Sequence, residues 1–528
     1  MSKGTKFWYH RNNNDDTSQN ALVALPKGGR GGTAAIANVN RTRYYHGIGQ
    51  NIDTRCFHQN ENQYYEINVW FRLENNTVPF ICDRWESNDA LFRCPEVTIK
   101  NSVYIDPLTK ESLDTDYDHK GYTVMPNNSP DFNLIHGVVK INERYSQVNR
   151  AWIYAETAHR SLDYIISDFS FKKIDLACEG NFIRNGDLEQ GRSVFWEKYG
   201  NGKFNVIDVE NTKALEYKEK TRNNYGLRQY LYVNPDCFKE HDRFTVRAKF
   251  RLVNSGGTTI ECDMASTSGE NQCGEVRIET ASPLGSRYAR VSYAIAVANA
   301  EKSGWGQYAG IYTLSEKETN FTKIYLQLSY TDVDTTVIYD DISMEPLPRN
   351  CENVVLNDSF EGGDTSYWTI SDRRIIHTVV DEGDNNGGEY ALSYERGDSD
   401  RSDYIYQDLD VRCFEKDQEF EIKAFFKILD DTGTPTTCTK TDKSTSSPAH
   451  CPLLYIYATD CADGTVSVEL WNKDTDTNWD ETIYNEFTFT FPVTDNLATC
   501  ENVRFGIGRG ALQDQTILVA SVSFGPLR

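Results

Sequence analysis

HGIGQNIDTRCFHQNENQYYEINVWFRL, residues 46–73, decides the fold because two later stretches of the chain can be laid over it. These stretches are YGLRQYLYVNPDCFKEHDRFTVRAKFRL, residues 225–252, and YIYQDLDVRCFEKDQEFEIKAFFKIL, residues 404–429. Each has a central cysteine and then a run in which apolar and polar residues alternate, the pattern of a half-buried β-strand. The chain therefore contains three copies of one β-rich module.

The alternating run spans Ile67–Leu73 in the first copy and recurs at Val246–Leu252 and Ile422–Ile428. Strand patterns dominate the chain; Tyr288–Ala300 is the best candidate for a helix, and it fits a strand equally well. Repeating units of about 175 residues with many short strands predict two-sheet β-sandwiches. The predicted modules span residues 1–175, 176–348 and 349–528, and the first lacks its opening strand.

Thirteen cysteines follow the repeat. The second and third copies open with a cysteine, in CEGNFIRNGDLE (178–189) and CENVVLNDSFE (351–361), and the first copy lacks this opening. If each opening cysteine pairs with the central one and the others pair within their module, the disulfides are Cys82–Cys94, Cys178–Cys237, Cys262–Cys273, Cys351–Cys413, Cys438–Cys451 and Cys461–Cys500. Cys56 is left over, because its expected partner belongs to the missing opening. This density of disulfides predicts an oxidising, extracellular compartment.

The charge balance is strongly acidic. Lys and Arg number 55 against 78 Asp and Glu, which gives a net charge of −23. Such a surface repels phosphate and argues against nucleic acids and anionic membranes as partners. No stretch approaches the roughly 18 consecutive apolar residues of a membrane span.

The first residues bear on secretion. Residues 1–16 are polar and lack the apolar core of a signal peptide. We therefore expect Met1 to be an internal or truncated start, with the signal peptide upstream. Five glycosylation sequons fit a secreted surface, at Asn40, Asn75, Asn127, Asn320 and Asn357.

A family resemblance rests on the opening and the close of the second copy. The motif N-x-x-x-N-G-D-L-E at Asn181–Glu189, the following Trp196 and the closing Tyr339–Ser343 resemble the carbohydrate-binding modules of families four, nine and twenty-two. The resemblance implies β-jelly rolls of the galactose-binding-like type. It also implies a structural Ca²⁺ between Glu189 and Asp341 in the second module, completed by backbone oxygens.

Aromatic side chains are the candidate sugar-binding residues, because sugars stack on flat apolar faces. They occur in comparable loops of the three copies and at one polar-phase position of the alternating run. These candidates are Tyr117, Tyr122, Trp305, Tyr308, Trp471, Trp479 and Trp70. The other interpretation is that a neighbouring loop or module covers these side chains.

Catalytic sequence motifs are lacking: there is no nucleophile elbow, no zinc-protease helix and no phosphate-binding loop. The leading hypothesis is a secreted, non-catalytic array that binds polysaccharide or glycoprotein glycans, weakly per module and more tightly in tandem. One alternative is a structural glycoprotein of a cell wall, matrix or filament that self-associates. Another is the accessory region of a larger glycan-degrading enzyme.

Overall fold

The chain forms two compact units, Met1–Ala177 with Ser193–Glu197 and Cys178–Arg192 with Lys198–Arg528. No helix in the described ranges has the length and hydropathy of a membrane span. The computed structural model describes residues 8–11, 21–58, 63–82, 93–106, 111–123, 130–141, 145, 148–174, 180–189, 193, 195–231, 238–262, 272–282, 285–295, 304–315, 318, 323–370, 376–382, 389–395, 404–437, 451–470, 479–508 and 515–527.

An antiparallel sheet that folds over its own core forms the first unit. Its strands are β1 (Tyr9–Arg11), β2 (Ala21–Leu25), β3 (Ala35–Val39), β4 (Gly47–Ile52), β5 (Gln63–Asn75), β6 (Val78–Phe80), β7 (Glu96–Asp106), β8 (Glu111–Thr123), β9 (Asn133–Ile141), β10 (Arg150–Glu156) and β11 (Asp163–Ile174); helix α1 is Arg55–His58. The order is β1-β4-β10-β7-β8-β9-β5-β11-β3-β2, with β6 beside β5. Val69 and Ile166 from one half of the sheet pack with Ile99 and Ile153 from the other half in one buried cluster.

The second module, which opens the second unit, repeats this plan. Its strands are β12 (Trp196–Tyr199), β13 (Lys203–Val209), β14 (Thr212–Lys218), β15 (Gly226–Tyr230), β16 (Arg243–Val253), β17 (Thr259–Ile260), β18 (Cys273–Ser282), β19 (Gly285–Ile295), β20 (Gly306–Thr313), β21 (Lys323–Thr331) and β22 (Thr336–Pro346). They pair in the order β15-β21-β18-β19-β20-β16-β22-β14-β13, with β17 beside β16. The segment that was ambiguous between helix and strand is therefore a strand up to Ile295.

The third module forms two five-stranded sheets. Its strands are β23 (Thr369–Ile370), β24 (Ile376–Val380), β25 (Ala391–Glu395), β26 (Tyr404–Asp408), β27 (Glu419–Leu429), β28 (Leu453–Thr459), β29 (Val466–Leu470), β30 (Asn485–Pro492), β31 (Asn502–Gly508) and β32 (Thr516–Pro526). The sheets run β23-β26-β31-β28-β29 and β24-β25-β32-β27-β30. Apolar residues of both sheets share one core, as in a β-sandwich.

The alternation read from the sequence matches burial along β5, β16 and β27. In β5 every second residue from Ile67 to Leu73 is at most 1% exposed, and in β27 the same holds from Ile422 to Ile428. Because successive side chains of a strand point to opposite faces, these runs pack one face into the core. The predicted all-β sandwich fold is confirmed.

Disulfides tie the modules internally. The structure contains Cys82–Cys94, Cys262–Cys273, Cys351–Cys413 and Cys461–Cys500. Cys451 is also disulfide-bonded, while its predicted partner Cys438 and the predicted pair Cys178–Cys237 lie outside the described residues. Cys56 is an exposed free thiol. Each bridge stabilises its module by about 2–4 kcal/mol.

Each module of the second unit is closed by an asparagine at its entry. The Asn181 side-chain oxygen accepts from the Met344 amide at 3.0 Å, and the Phe182 amide donates to the Met344 carbonyl at 2.8 Å. In the third module, the Asn353 side-chain oxygen accepts from the Phe524 amide at 3.1 Å. The chain therefore enters and leaves each of these modules at the same edge.

A buried glutamine fastens the opening loop to the sheet in both modules. Gln229 accepts from the Arg184 amide at 2.8 Å and donates to the Arg184 carbonyl at 2.9 Å. Gln407 makes the same pair of bonds with Leu356, at 2.7 Å and 2.9 Å. Both glutamines are fully buried. The repeated geometry fixes the position of the loop that carries the family-like opening motif.

Charged side chains join the second and third modules. Arg243, which is 5% exposed, donates to the Asp408 carbonyl at 2.6 Å. Arg412 makes two hydrogen bonds to Asp410 and a third to Asp242 at 3.2 Å. Burial lowers the pKa of Arg243, and the neighbouring aspartates oppose that shift. These bonds hold the two modules in one unit.

Candidate functional site

The long central strand of each module carries a basic residue that is covered by a neighbouring segment. The residue stands at the same place in the repeat, five positions after the first buried residue of the alternating run. In each module it lies over an aromatic ring and pairs with an acid. The groups are Arg72 with Phe132 and Glu74, Arg251 with Trp305 and Glu210, and Lys427 with Tyr484 and Glu382. This face of the sheet is occupied by the protein itself.

Two predicted ligand contacts of the second module belong to this covered region. The Arg251 guanidinium lies 4.5 Å from the Trp305 ring centroid, and the Trp305 indole donates to Glu210 at 3.4 Å. Tyr308 is 1% exposed and stacks on Phe250 at 4.4 Å. The prediction that Tyr308 binds ligand is therefore wrong, because its ring is part of the core. Trp305 is half-buried and holds Arg251 in place.

Trp70 and Trp479 are covered in a similar way. The Arg30 guanidinium lies 4.0 Å from the Trp70 ring centroid. Trp479 packs against the core of the third module and donates from its indole to the Thr436 carbonyl at 3.2 Å. Of the two interpretations left open for these aromatics, the contacts favour cover by a neighbouring segment.

The other predicted aromatics have different outcomes. Tyr117 is 41% exposed on β8. Tyr122 also lies on β8, but its side chain is outside the described residues, as is Trp471 altogether. Tyr117 is thus the predicted contact that the structure leaves open to solvent.

A different surface of the second module brings polar and aromatic side chains together. Strands β15, β21, β18 and β19 place two rows side by side on the face that points away from the core, since cross-strand partners share a face. One row is Tyr230, Tyr325, Glu279 and Tyr288, and the other is Arg228, Gln327, Arg277 and Arg290. We call these eight residues the tyrosine–arginine face.

The tyrosine row offers flat rings at graded depth. Tyr230 and Tyr325 are half-buried and meet edge to face at 5.4 Å, whereas Tyr288 is 49% exposed. The Tyr288 hydroxyl donates to Glu279 at 3.2 Å. Burial raises the pKa of Tyr230 to about 12, so its hydroxyl is protonated at neutral pH and can donate a hydrogen bond.

The arginine row is held by two carboxylates. Arg290 donates to Glu275 at 2.7 Å, and Arg277 donates to the other oxygen of the same carboxylate. Arg228 lies 3.5 Å from Glu279 and 4.4 Å from the Tyr325 ring centroid. The guanidinium groups are therefore fixed in position before any ligand arrives.

Equivalent sheets of the other modules carry related side chains. In the first module Asn51, Trp152, Lys100 and Tyr117 form a cross-strand row. In the third module Tyr406, Gly506 and Tyr455 form one. The Tyr455 ring lies across Gly506, where a Cβ would be 2.1 Å from the ring, so only glycine fits there. The three faces share an aromatic character but differ in detail.

Sequence reasoning missed the tyrosine–arginine face. The signal was present in KIYLQLSY (323–330), where Tyr325 and Gln327 stand in the polar phase between buried Ile324, Leu326 and Leu328. A large aromatic in the solvent phase of a strand is a pointer to binding or cover. Attention to loops rather than strands directed the prediction elsewhere.

The carboxylates proposed for calcium are arranged differently from the prediction. Asp341 pairs with the Lys249 ammonium at 2.7 Å, and Glu189 accepts from the Lys213 amide at 3.2 Å. The neighbouring Asp340 is 6% exposed and faces the residue before Lys213, whose hydroxyl donates to it at 3.3 Å. Among the described residues no group of three or more His, Cys, Asp and Glu side chains could hold a metal. As far as the chemistry of the donors goes, Glu189 and Asp340 suit Ca²⁺ better than Asp341.

The sequons differ in accessibility. Asn40 and Asn75 are exposed, whereas Asn127 and Asn320 lie outside the described residues. The Asn357 amide nitrogen donates to the Asp364 carbonyl at 2.8 Å and to the Ser366 carbonyl at 3.3 Å. The prediction of a glycan at Asn357 conflicts with these bonds, because the same nitrogen would have to carry the sugar.

Comparisons with known proteins give distant similarities. No family model matches the sequence. Endo-1,4-beta-xylanase A of Thermoanaerobacterium saccharolyticum is 24% identical over 214 residues, which are 40% of this chain and 17% of that enzyme. The chain therefore spans about a sixth of the length of this curated relative.

Similar solved structures include carbohydrate-binding modules. The tandem family 22 modules at the N-terminus of Paenibacillus barcinonensis Xyn10C match 66% of this chain and 95% of their own, with 13% identity and a TM-score of 0.25. The C-terminal family 22 module of Clostridium thermocellum Xyn10B matches 31% of this chain and 96% of its own, with 14% identity and a TM-score of 0.23.

Proposed function

We propose that the chain is a non-catalytic glycan-binding array and that the second module binds its ligand on the tyrosine–arginine face. The observation that carries this proposal is the row of tyrosines beside fixed guanidinium groups on a rigid sheet. The pyranose ring of a sugar stacks its C–H face on an aromatic ring, while its hydroxyls need polar partners at the edge. Side chains anchored on strands hold such a geometry better than loops do.

The similarity to a xylanase supports a polysaccharide of the plant cell wall as the first ligand to try. That enzyme's name specifies β-1,4-xylan as its substrate. The full chain would be titrated by calorimetry with xylan, mixed-linkage β-glucan, mannan and galactan. The expected result is binding to at least one of them.

Substitutions on the face test its location. Tyr288→Ala and Tyr325→Ala should each weaken binding about threefold to tenfold or more, because an aromatic contact contributes about 0.5–1.5 kcal/mol beyond its buried area. Trp305→Ala is the matched control, since it removes an aromatic of the same module that lies over Arg251. Circular dichroism would establish that all three variants are folded. Loss of binding in Trp305→Ala, with full binding in both tyrosine variants, would contradict the proposal.

A role as the accessory region of a larger glycan-degrading enzyme is compatible with this function. The length of the xylanase relative supports it, because the chain matches only 17% of that enzyme. In this arrangement the modules would bring a catalytic domain to its polymer. A pull-down on insoluble xylan, with and without a fused xylanase domain, would measure the gain in hydrolysis that the modules confer.

Calcium is retained as a proposal for the second module, with Glu189 and Asp340 as the carboxylate ligands. The ion would link the opening loop to β22 and so stabilise the module. Thermal unfolding of the full chain should shift upward when Ca²⁺ replaces chelator, and the shift should disappear in Glu189→Gln. Glu361→Gln, the equivalent change in the third module, is the control. An unchanged transition with Ca²⁺ would exclude this role.

A further inference from the structure

Positive charge is concentrated on the tyrosine–arginine face although the chain as a whole carries a net charge of −23. Arg228, Arg277 and Arg290 lie in one cross-strand row. The carboxylates that hold them are Glu275 and Glu279. Three guanidinium groups against two carboxylates leave one net positive charge in this set. An excess of that sign is the opposite of what the composition would produce by chance.

The acids lie beneath the arginines. The Glu275 side chain is 0% exposed and that of Glu279 is 9% exposed, whereas the side chains of Arg277 and Arg290 are 20% and 46% exposed. One buried carboxylate thus orients two guanidinium groups. A molecule that approaches the sheet meets the guanidiniums and tyrosines before it meets a carboxylate.

The same combination recurs in the other modules. In the first module the Lys100 ammonium lies 5.1 Å from the Tyr117 ring centroid. In the third module the Arg504 guanidinium lies 4.7 Å from the Tyr406 ring centroid. Each of these faces therefore presents a cation beside an aromatic ring. The recurrence at equivalent strands points to a shared ligand chemistry rather than to a local accident.

We propose that the tyrosine–arginine face selects saccharides that carry carboxylate groups, which makes a uronate-bearing polysaccharide the ligand class. This inference rests on the proposed glycan-binding function and specifies its substrate. A guanidinium group matches a carboxylate with two parallel hydrogen bonds, and such charge-assisted bonds are the strong ones. The one net positive charge of the face is compensated by one uronate, while a neutral sugar leaves it uncompensated.

The test compares each polymer with its own neutral form. The full chain is titrated with polygalacturonate, alginate and glucuronoxylan, each native and after chemical reduction of its carboxyl groups to alcohols. At least one native polymer should bind about tenfold or more tightly than its reduced form, as expected for a charge-assisted hydrogen bond. Raising the salt concentration should weaken only the native polymer.

Two arginine variants locate the effect. Arg290→Gln should lower the affinity for the native polymer about tenfold and leave that for the reduced polymer unchanged. Arg222→Gln is the matched control, because this exposed arginine lies in the turn before β15 and outside both rows. Equal loss in both variants would overturn the proposal, since general charge would then explain the binding.

The remaining outcomes separate this inference from the function beneath it. If native and reduced polymers bind equally and Tyr325→Ala weakens both, the carboxylate preference is wrong and glycan binding stands. If dextran sulfate binds while dextran and every uronate polymer do not, the face selects sulfate and the proposal is overturned. If no polymer of either panel binds to the folded chain, the proposed function itself fails.

Discussion

The buried Gln229 allows a sharp test of how the second module holds its opening loop. Replacing it with Leu keeps the volume but removes the acceptor for the Arg184 amide and the donor for the Arg184 carbonyl. Leaving one buried polar group without its bond costs about 1–3 kcal/mol. Because Arg184 is half-exposed, water can reach part of its backbone. We therefore expect the local cost to be about 2–4 kcal/mol.

Hydrogen exchange followed by mass spectrometry measures this cost where it arises. In Gln229→Leu, the amides of residues 183–186 should exchange about 30-fold to 1,000-fold faster, because about 1.4 kcal/mol corresponds to a factor of ten. The equivalent Gln407→Leu change should accelerate exchange around Leu356 by a similar factor and leave residues 183–186 unchanged. Less than fivefold acceleration at both loops would refute the reasoning, since the glutamines would then contribute little to loop position.

Three further predictions concern stability, packing and modification. Burial lowers the pKa of Lys220 to about 8, so the unfolded chain binds more protons than the native chain above that pH, and the thermal stability of the second module should rise between about pH 8 and 10 by about 2–3 kcal/mol; Lys220→Met should flatten this rise in calorimetric scans. Tyr308→Ala should destabilise the second module by about 3–5 kcal/mol in urea titrations, whereas retention of stability together with lost binding would return this residue to the ligand site. Expression in a glycosylating host should place glycan on Asn75 and none on Asn357, as peptide mass spectrometry can establish; a glycosylated Asn357 would contradict its hydrogen bonds.

The fold could be predicted because its determinants are local. Alternation in runs such as Ile67–Leu73 follows from the two-residue period of a strand, and a repeat that occurs three times makes the pattern hard to miss. The disulfide Cys351–Cys413 followed from the position of each cysteine in the repeat. None of these inferences required knowing which strands are neighbours.

The candidate site depends on that missing knowledge. The arginine row exists only because strand pairing brings Arg228 beside Gln327, although about a hundred residues separate them in the chain. The misplacement of Tyr308 has a different cause. Its strand includes Gly306 and Gly310, which have no side chain, so the apolar period cannot be read there. At Gly310 a Cβ would lie 2.1 Å from the Val291 carbonyl oxygen, which explains the glycine.

The closure of each module at one edge governs how the array carries mechanical force. The amide of Met344 meets Asn181, and that of Phe524 meets Asn353, so the entry and exit of a module are side by side. Tension along the chain is transmitted across these few bonds instead of along the sheets. A pulled array would first open at its module edges, one hydrogen bond after another, while the strands that bear the tyrosines and arginines remain unloaded.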